Sequence, residues 1–542
     1  MDKQTMTSAT IRQQFLDFFA SKGHTIVPSA SLIPHDDPTL LFTNAGMNQF
    51  KDVFLGLGSR PYTRVADTQK CMRVSGKHND LEDVGKSPYH HTFFEMLGNW
   101  SFGDYYKKEA IEWAWELLTE RWGLPKEHLY ATVFEDDEGD LGRDTEAADY
   151  WLQLTDIVPD HVRYFGRKDN FWEMADTGPC GPNSEIHLDR GREFCDRQGE
   201  PGHVCRVNGD CQRFLELWNL VFIQYNRHAD GTLELLPDKH VDTGMGFERI
   251  VLVLQGMQSN YETDLFADIL RGVQDLLGHT DAQREENRLA YRVIADHSRA
   301  VTFLTGDGIL PGNEGRGYTL RMILRRAARF GRKIGFQDPF LAQAAQIVID
   351  AMSGFYTELR ARRDFILRTI TEEEKRFLRT LDTGLTRLDS LMADLSARGE
   401  AIIPGAAAFK LWSQDGFPLD LTRDVAQENG FTVDEVGYHE ALARHVEVSA
   451  AGDRFQAIDA EQMARYSRLL ADLRTGGRLS EAGVAHVYAE GTTADTRIVA
   501  LLRAGVPAME AAPGDEVDVA LAATPFYVES GGQVSDAGRI AG

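Results

Sequence analysis

Phe214 to Tyr225 (FLELWNLVFIQY) constrains this chain more than any other stretch. It is nearly all apolar and rich in strand formers, so it reads as a central strand buried on both faces. Such a strand needs neighbours on either side and covering layers above and below. Asn219 is its polar exception, and a buried amide needs partners. Strand signals persist to about Met257 and then stop. Helical patterns follow at Asp264 to Leu277, Glu285 to Phe303, Tyr318 to Gly331 and Phe340 to Met352. From Tyr356 to Met392 one long amphipathic run steps through Ile366, Ile370, Phe377, Leu381, Leu385, Leu388 and Met392. After about Phe455 the texture becomes rich in Ala, Gly, Asp and Val, with short alternating strands. The expected domains are therefore 1–256, 257–455 and 456–542, since 542 residues exceed what one core can organise.

Thr68 to Asp104 carries the chemistry. Strand formers fill both arms and turn formers the middle, which predicts two antiparallel strands joined by a long polar loop. Arg73 and Lys77 bracket Ser75-Gly76, His78-Asn79-Asp80 follows, and Tyr89-His90-His91 leads into Phe93-Phe94-Glu95-Met96. Arginine offers a planar fork to phosphate and the rings offer flat surfaces to a purine. An ordinary hairpin has no use for those histidines, so the set reads as a nucleotide site. Further on, His240-Val241-Asp242-Thr243-Gly244-Met245-Gly246 opens a helix at Phe247-Glu248-Arg249. Glycines at a strand-to-helix junction let backbone approach a ligand, and the helix N-terminus favours phosphate.

These residues, with Lys168 to His187 (KDNFWEMADTGPCGPNSEIH) and Val241 to Ile250 (VDTGMGFERI), resemble the class II alanyl-tRNA synthetases, in the same order and over essentially the whole chain. The resemblance implies an α+β fold: an antiparallel sheet flanked by helices, then an all-helical domain, then the start of a β-barrel editing domain. It implies a ligase that joins alanine to ATP and passes it to tRNA, with ATP and Mg2+ as cofactors. Arg73 and Arg249 become the catalytic phosphate clamps. His91, Trp172, Leu217, Trp218, Asn219 and Gly246 join them in the ATP site, and Asn219 and Asp242 take the alanine. Asn313, Arg316, Arg321, Arg325, Arg326 and Asp420 become tRNA contacts. Thr524 to Gln533 looks like the beginning of the editing barrel, so no working editing site is expected. A monomer is expected too, because the family associates through a later part. A catalytically silent RNA-binding relative is the rival reading, disfavoured because a pure binder needs no ammonium-pairing aspartate beside two phosphate clamps.

Net charge is −25, which opposes long-range steering of nucleic acid. Arg316 to Lys333 (RGYTLRMILRRAARFGRK) nevertheless holds no acidic residue, and a segregated patch of this kind suits a phosphate backbone with a steep salt dependence. No apolar run reaches membrane length and no secretory signal opens the chain, so a cytoplasmic location is expected. Five cysteines fit a reducing compartment better than a disulfide framework. Cys195, His203, Cys205 and Cys211 are the right ligand types for zinc but lack Cys-x-x-Cys steps, so plain thiols in a hydrophilic insertion are favoured over a structural metal. Gly85-Lys86-Ser87 is not a P-loop, because Asp80 stands where a glycine is required.

Overall fold

The computed structural model describes residues 6–34, 40–75, 78–137, 139, 141–174, 177–415, 417–452, 469–480, 484–487, 493–503, 506–526 and 538–541; side chains of 75, 78, 79, 382, 415, 420, 445–452 and 486 are outside that description. The chain divides into two compact units, Met1–Asp434 and Glu435–Gly542.

The first unit is organised on a sheet of β1 (Thr25–Ile26), β2 (Arg64–Met72), β3 (Phe93–Phe102), β4 (Leu129–Phe134), β5 (Val162–Phe165), β6 (Phe171–Glu173), β7 (Gly178–Asp189), β8 (Phe214–Arg227) and β9 (Leu233–Gly246). The strand order is β1-β2-β3-β9-β8-β7-β4-β5, with β6 added to β7. Pairing is antiparallel except for the β1–β2 and β4–β5 pairs at the two ends. The predicted central strand is β8, held by β9 on one side and β7 on the other. The predicted 68–104 arms are β2 and β3, in a register that sets Met72 opposite Phe93.

Two local features shape these elements. Gly178-Pro179-Cys180-Gly181-Pro182 forms the first half of β7 despite its glycines and prolines. A register shift on β8 between Val221 and Tyr225 accommodates the two prolines, which cannot donate to a ladder. A Cβ at Gly181 would stand 2.1 Å from the Phe222 carbonyl oxygen, so only glycine permits that approach. Helix α1 (Ser8–Ser21) is capped by Thr7, whose hydroxyl accepts from Thr10 N at 3.2 Å.

Helices α2 (Lys107–Trp115) and α3 (Phe247–Gln255) flank the sheet, α3 running straight out of β9 and stopping at left-handed Gly256. Then come α4 (Ala267–Leu277), α5 (Arg288–Gly306), α6 (Gly315–Ile334), α7 (Leu341–Met352) and α8 (Arg363–Ala397), close to the periodicities read from sequence, and α9 (Leu419–Glu428). This helical part packs on the sheet. Phe303 of α5 stacks on Phe93 of β3 at 4.2 Å. Below them lies a buried charge network. Arg12 forks onto Glu95 at 2.7–3.0 Å, Tyr356 donates to the same carboxylate, and Arg299 bridges to Glu248 at 2.7 Å. Buried pairs of this kind are costly to break, about 3–5 kcal/mol for loss of one partner.

The second unit has a helix, Glu435–Gly452, and a small core of Leu473, Leu479 and Val499. Its strand Ile498–Arg503 pairs antiparallel with Val506–Pro507 and with Asp518–Leu521. Most of the expected barrel motif, from Tyr527 on, lies outside the described residues.

Candidate active site

A cavity of about 270 Å³ opens on the sheet face where β2, β3, β8 and β9 meet the start of α3. Arg73, at the end of β2, Asp242 and Gly246 of β9, Asn219 of β8 and Arg249 of α3 all line it, with His91 and Trp172. Arg73 and Arg249, 176 positions apart in sequence, thus line one cavity.

Each polar group has a physical setting. Asp242 is buried, and its Oδ1 accepts from Trp100 Nε1 at 2.6 Å. Desolvation raises its pKa to about 7, against the weaker pull of that hydrogen bond. The carboxylate is therefore poorly solvated and suited to a cation. Beside it, Asn219 is oriented from both ends: its Oδ1 accepts from Asn183 Nδ2 at 2.8 Å and its Nδ2 donates to Glu185 Oε1 at 3.5 Å. Arg249 Nη1 donates to the Glu216 carbonyl and carboxylate at 3.0 and 3.1 Å. Burial pushes the Glu216 carboxyl up, but Arg249, His187 and Arg73 together outweigh it and keep the group below its ordinary value. Arg73 Nε donates to the Asn44 carbonyl at 3.3 Å and its guanidinium lies over the Phe94 ring. His90 is driven down to about 4, first by burial and then by Arg249, so it is neutral here.

His91 reaches the cavity with its ring nitrogens already engaged. Asn260 Nδ2 donates to Nε2 at 2.8 Å, so the proton sits on Nδ1 and is given to Asp296 Oδ2 at 3.1 Å. The ring also stacks on Phe266. Asp296 accepts from His297 Nδ1 at 2.9 Å as well, and His297 Nε2 accepts from Arg326, which also donates to Asp424. Burial pushes Asp296 up, yet hydrogen bonds from His297 and His91 hold it far below an ordinary carboxylate. His91 therefore offers a ligand its ring surface rather than a hydrogen bond.

Leu217 and Trp218 do not line the cavity. The register shift between Glu216 and Trp218 makes Leu217 the extra residue and turns Trp218 to the opposite face, against Phe15 and Phe19. Asp80 and Tyr89, part of the set read as a nucleotide site but given no role of their own, also line it, as do Glu216 and Glu248, to which the sequence reading gave none. Glu216 had a signal: it is the one carboxylate in the apolar run.

The family comparison decides what this constellation belongs to. The model for tRNA synthetases class II (A) matches residues 10–542. The chain belongs to that family. Similar curated proteins are the alanine–tRNA ligases of Chlorobium phaeobacteroides (50% identical over 537 residues), Chlorobaculum tepidum (50% over 537) and Roseiflexus sp. strain RS-1 (50% over 538). Each alignment covers 99% of this chain and 57% of the relative, so the chain spans little more than half the length of those proteins.

In this synthetase-family chain the basic run forms α6, but its charges are largely paired inside the protein. Arg321 and Arg325 lie 3.2 and 2.9 Å from Glu373 of α8, Arg326 lies 3.2 Å from Asp424, and Arg329 lies 2.7 Å from Glu428 of α9. Arg316 donates to the Leu41 and Leu40 carbonyls, and Asn313 bonds Arg321. The patch read as a free cationic surface is in good part an ion-pair lattice that fixes α8 and α9. The side chain of Asp420 is outside the described residues. Cys195, His203, Cys205 and Cys211 come together in the β7–β8 connection, their ligand atoms all within 4.8 Å of one another. No helix among the described residues is long and apolar enough to cross a membrane.

Proposed function

We propose that the chain carries the aminoacylation centre of an alanine–tRNA ligase. The carrying observation is the convergence of Arg73, Arg249 and Asp242 on one cavity, with Asn219 held beside the carboxylate. In this reading Asp242 pairs with the ammonium of L-alanine. The alanine carboxylate oxygen attacks the α-phosphorus of ATP, a new P–O bond forms, and the bond to the bridging oxygen breaks to release pyrophosphate. No protein nucleophile is needed, because positioning and neutralisation of developing negative charge supply the rate. Arg73 spans the alanine carboxylate and the α-phosphate, and Arg249 leaves Glu216 to clamp the nucleotide. The faces of Trp172 and His91 bound the site, with Gly246 keeping the backbone close. Magnesium, when bound, would supply positive charge to neutralise the triphosphate. The cavity carboxylates Glu216 and Asp80 fit its demand for one or two protein oxygens. The 3′ hydroxyl of tRNA then attacks the carbonyl of the adenylate and expels AMP.

Two features support a tRNA partner: the tRNA ligase function of the similar proteins and the loop-to-α6 segment that carries Asn313, Arg316 and Arg321. Because α6 spends most of its charge internally, contact falls to that loop and the acceptor stem it would meet, with Arg325 and Arg326 as supports. Domain limits at 256 and 455, a cytoplasmic location and a monomeric state belong to the same reading.

Alanine-dependent exchange of pyrophosphate into ATP tests it directly. Exchange with alanine and its abolition in Arg73→Ala are expected. A purified, folded chain that binds tRNA but shows no exchange is the result that would favour the silent relative.

A further inference from the structure

The connection between β7 and β8 runs over residues 190–213, far longer than a hairpin needs. Its regular structure is one short 3-10 turn, Arg192–Phe194, so a connection of this length requires some other source of order. Here the neck is closed by Arg213 on Asp189 and by Arg190 N on the Arg213 carbonyl at 2.9 Å. Inside it, only Cys195, Val207 and Cys211 are buried, too little apolar material for a core. What the loop does contain is three thiols and an imidazole. Cys195 Sγ and Cys205 Sγ lie 3.2 and 3.4 Å from His203 Nε2, and Cys211 completes a set spanning at most 4.8 Å. A tetrahedral zinc with bonds of about 2.1–2.3 Å spaces its ligand atoms about 3.5–3.8 Å apart, so the observed spacings need only small adjustment. Four donors of the right softness outweigh the missing Cys-x-x-Cys steps.

The loop also reaches the sheet. Asn208, the one described non-glycine residue with positive φ (53°), donates through Nδ2 to Glu185 Oε2 at 3.4 Å. Asparagine tolerates that left-handed backbone better than most residues, but something must hold it there. Glu185 in turn takes His187 at 3.1 Å and Asn219 Nδ2, and Asn219 lines the cavity.

We propose that Cys195, His203, Cys205 and Cys211 bind one structural Zn2+ that serves as the core of this loop and holds Asn208 against Glu185, so that metal occupancy positions Asn219. The second half of this inference rests on the alanine-binding reading; the first does not. Asn208 is a positioning residue, acting through Glu185.

The test uses the 542-residue chain, expressed with zinc and purified without chelator. Elemental analysis is expected to give about one zinc per chain, falling to near zero in Cys205→Ser/Cys211→Ser. Should that double variant fail to fold, Co2+ added to stripped wild-type chain is expected to give thiolate-to-metal charge transfer and tetrahedral d–d bands. Metal-free wild-type chain that develops no such bands overturns the site. For the coupling, chelator-stripped chain is expected to show a KM for alanine raised several-fold with kcat little changed, restored by Zn2+. Asn208→Ala should show the same KM shift while keeping its zinc. An unchanged KM in both rejects the coupling. Zinc at full stoichiometry in a chain without alanine-dependent exchange rejects the coupling and the functional reading together, and leaves the metal site standing.

Discussion

Trp100 and Asp242 face each other across adjacent strands, and the indole Nε1 donates to the carboxylate at 2.6 Å. The neighbour fixes where the charge points without neutralising it. With its pKa near 7, Asp242 would, in the proposed function, be shared between a proton and a substrate ammonium close to physiological pH.

The sign follows from which form binds. Only ionised Asp242 pairs with an ammonium, so the KM for alanine is expected to rise as pH falls through about 7, by about tenfold at one unit below that value. The profile of kcat/KM in exchange assays checks this; a flat profile between pH 8 and 6 would remove Asp242 from the alanine site.

The same burial costs stability. A carboxyl whose folded pKa is raised contributes fully below its unfolded value near 3.8, and that contribution is lost as pH rises through about 7. Asp242→Asn keeps an oxygen for Trp100 and removes the penalty. It is expected to stabilise the chain by on the order of 2–4 kcal/mol at pH 8, not at all below pH 4, and to abolish exchange. Thermal melts at the two pH values read the difference.

Arg73 and Arg249 are expected to differ in kind. Arg73→Ala should lose exchange by three orders of magnitude or more without moving the melting temperature far, since among the described contacts the Arg73 side chain makes one long hydrogen bond, at 3.3 Å, and a ring contact. Arg249→Ala also strands Glu216, so it should cost about 1–3 kcal/mol of stability as well as activity. Chemical denaturation beside exchange kinetics separates the two.

For α6, the ion pairs reverse a simple expectation. Arg325→Ala with Arg326→Ala leaves Glu373 and Asp424 short of partners, so its first effect should be a drop in stability of about 2–5 kcal/mol, with weaker tRNA binding following from it. The salt slope of tRNA binding should change by less than two phosphate contacts would give. Substitution at Arg316 or Asn313, nearer the exposed loop, is expected to weaken binding with less loss of stability.

Much of this was legible in the letters because the informative contacts are local. The β2–β3 pair followed from strand formers around a polar loop, and the β9-to-α3 junction from glycines before Phe247. Other features were hidden by distance. Nothing near His91 announces Asn260 or Asp296, some 170 and 205 residues on, whose hydrogen bonds decide that it offers only its ring. Nothing within α6 reveals Glu373, Asp424 and Glu428, so a segregated charge run looked like an open surface. The fate of Leu217 and Trp218 turned on a single bulge, which a period-two pattern cannot express.

The line from His91 through Asp296, His297 and Arg326 to Asp424 joins the cavity wall to α6 and α9 without a break. Grafting α6 from a relative would therefore carry a hidden obligation. A guanidinium missing at position 326 releases His297, His297 loosens Asp296, and the disturbance emerges at the ring that borders the proposed nucleotide site. Chimeras that exchange α6 alone should falter in the ATP step even with no RNA present, whereas those that move residues 296–297 and α9 along with it should not.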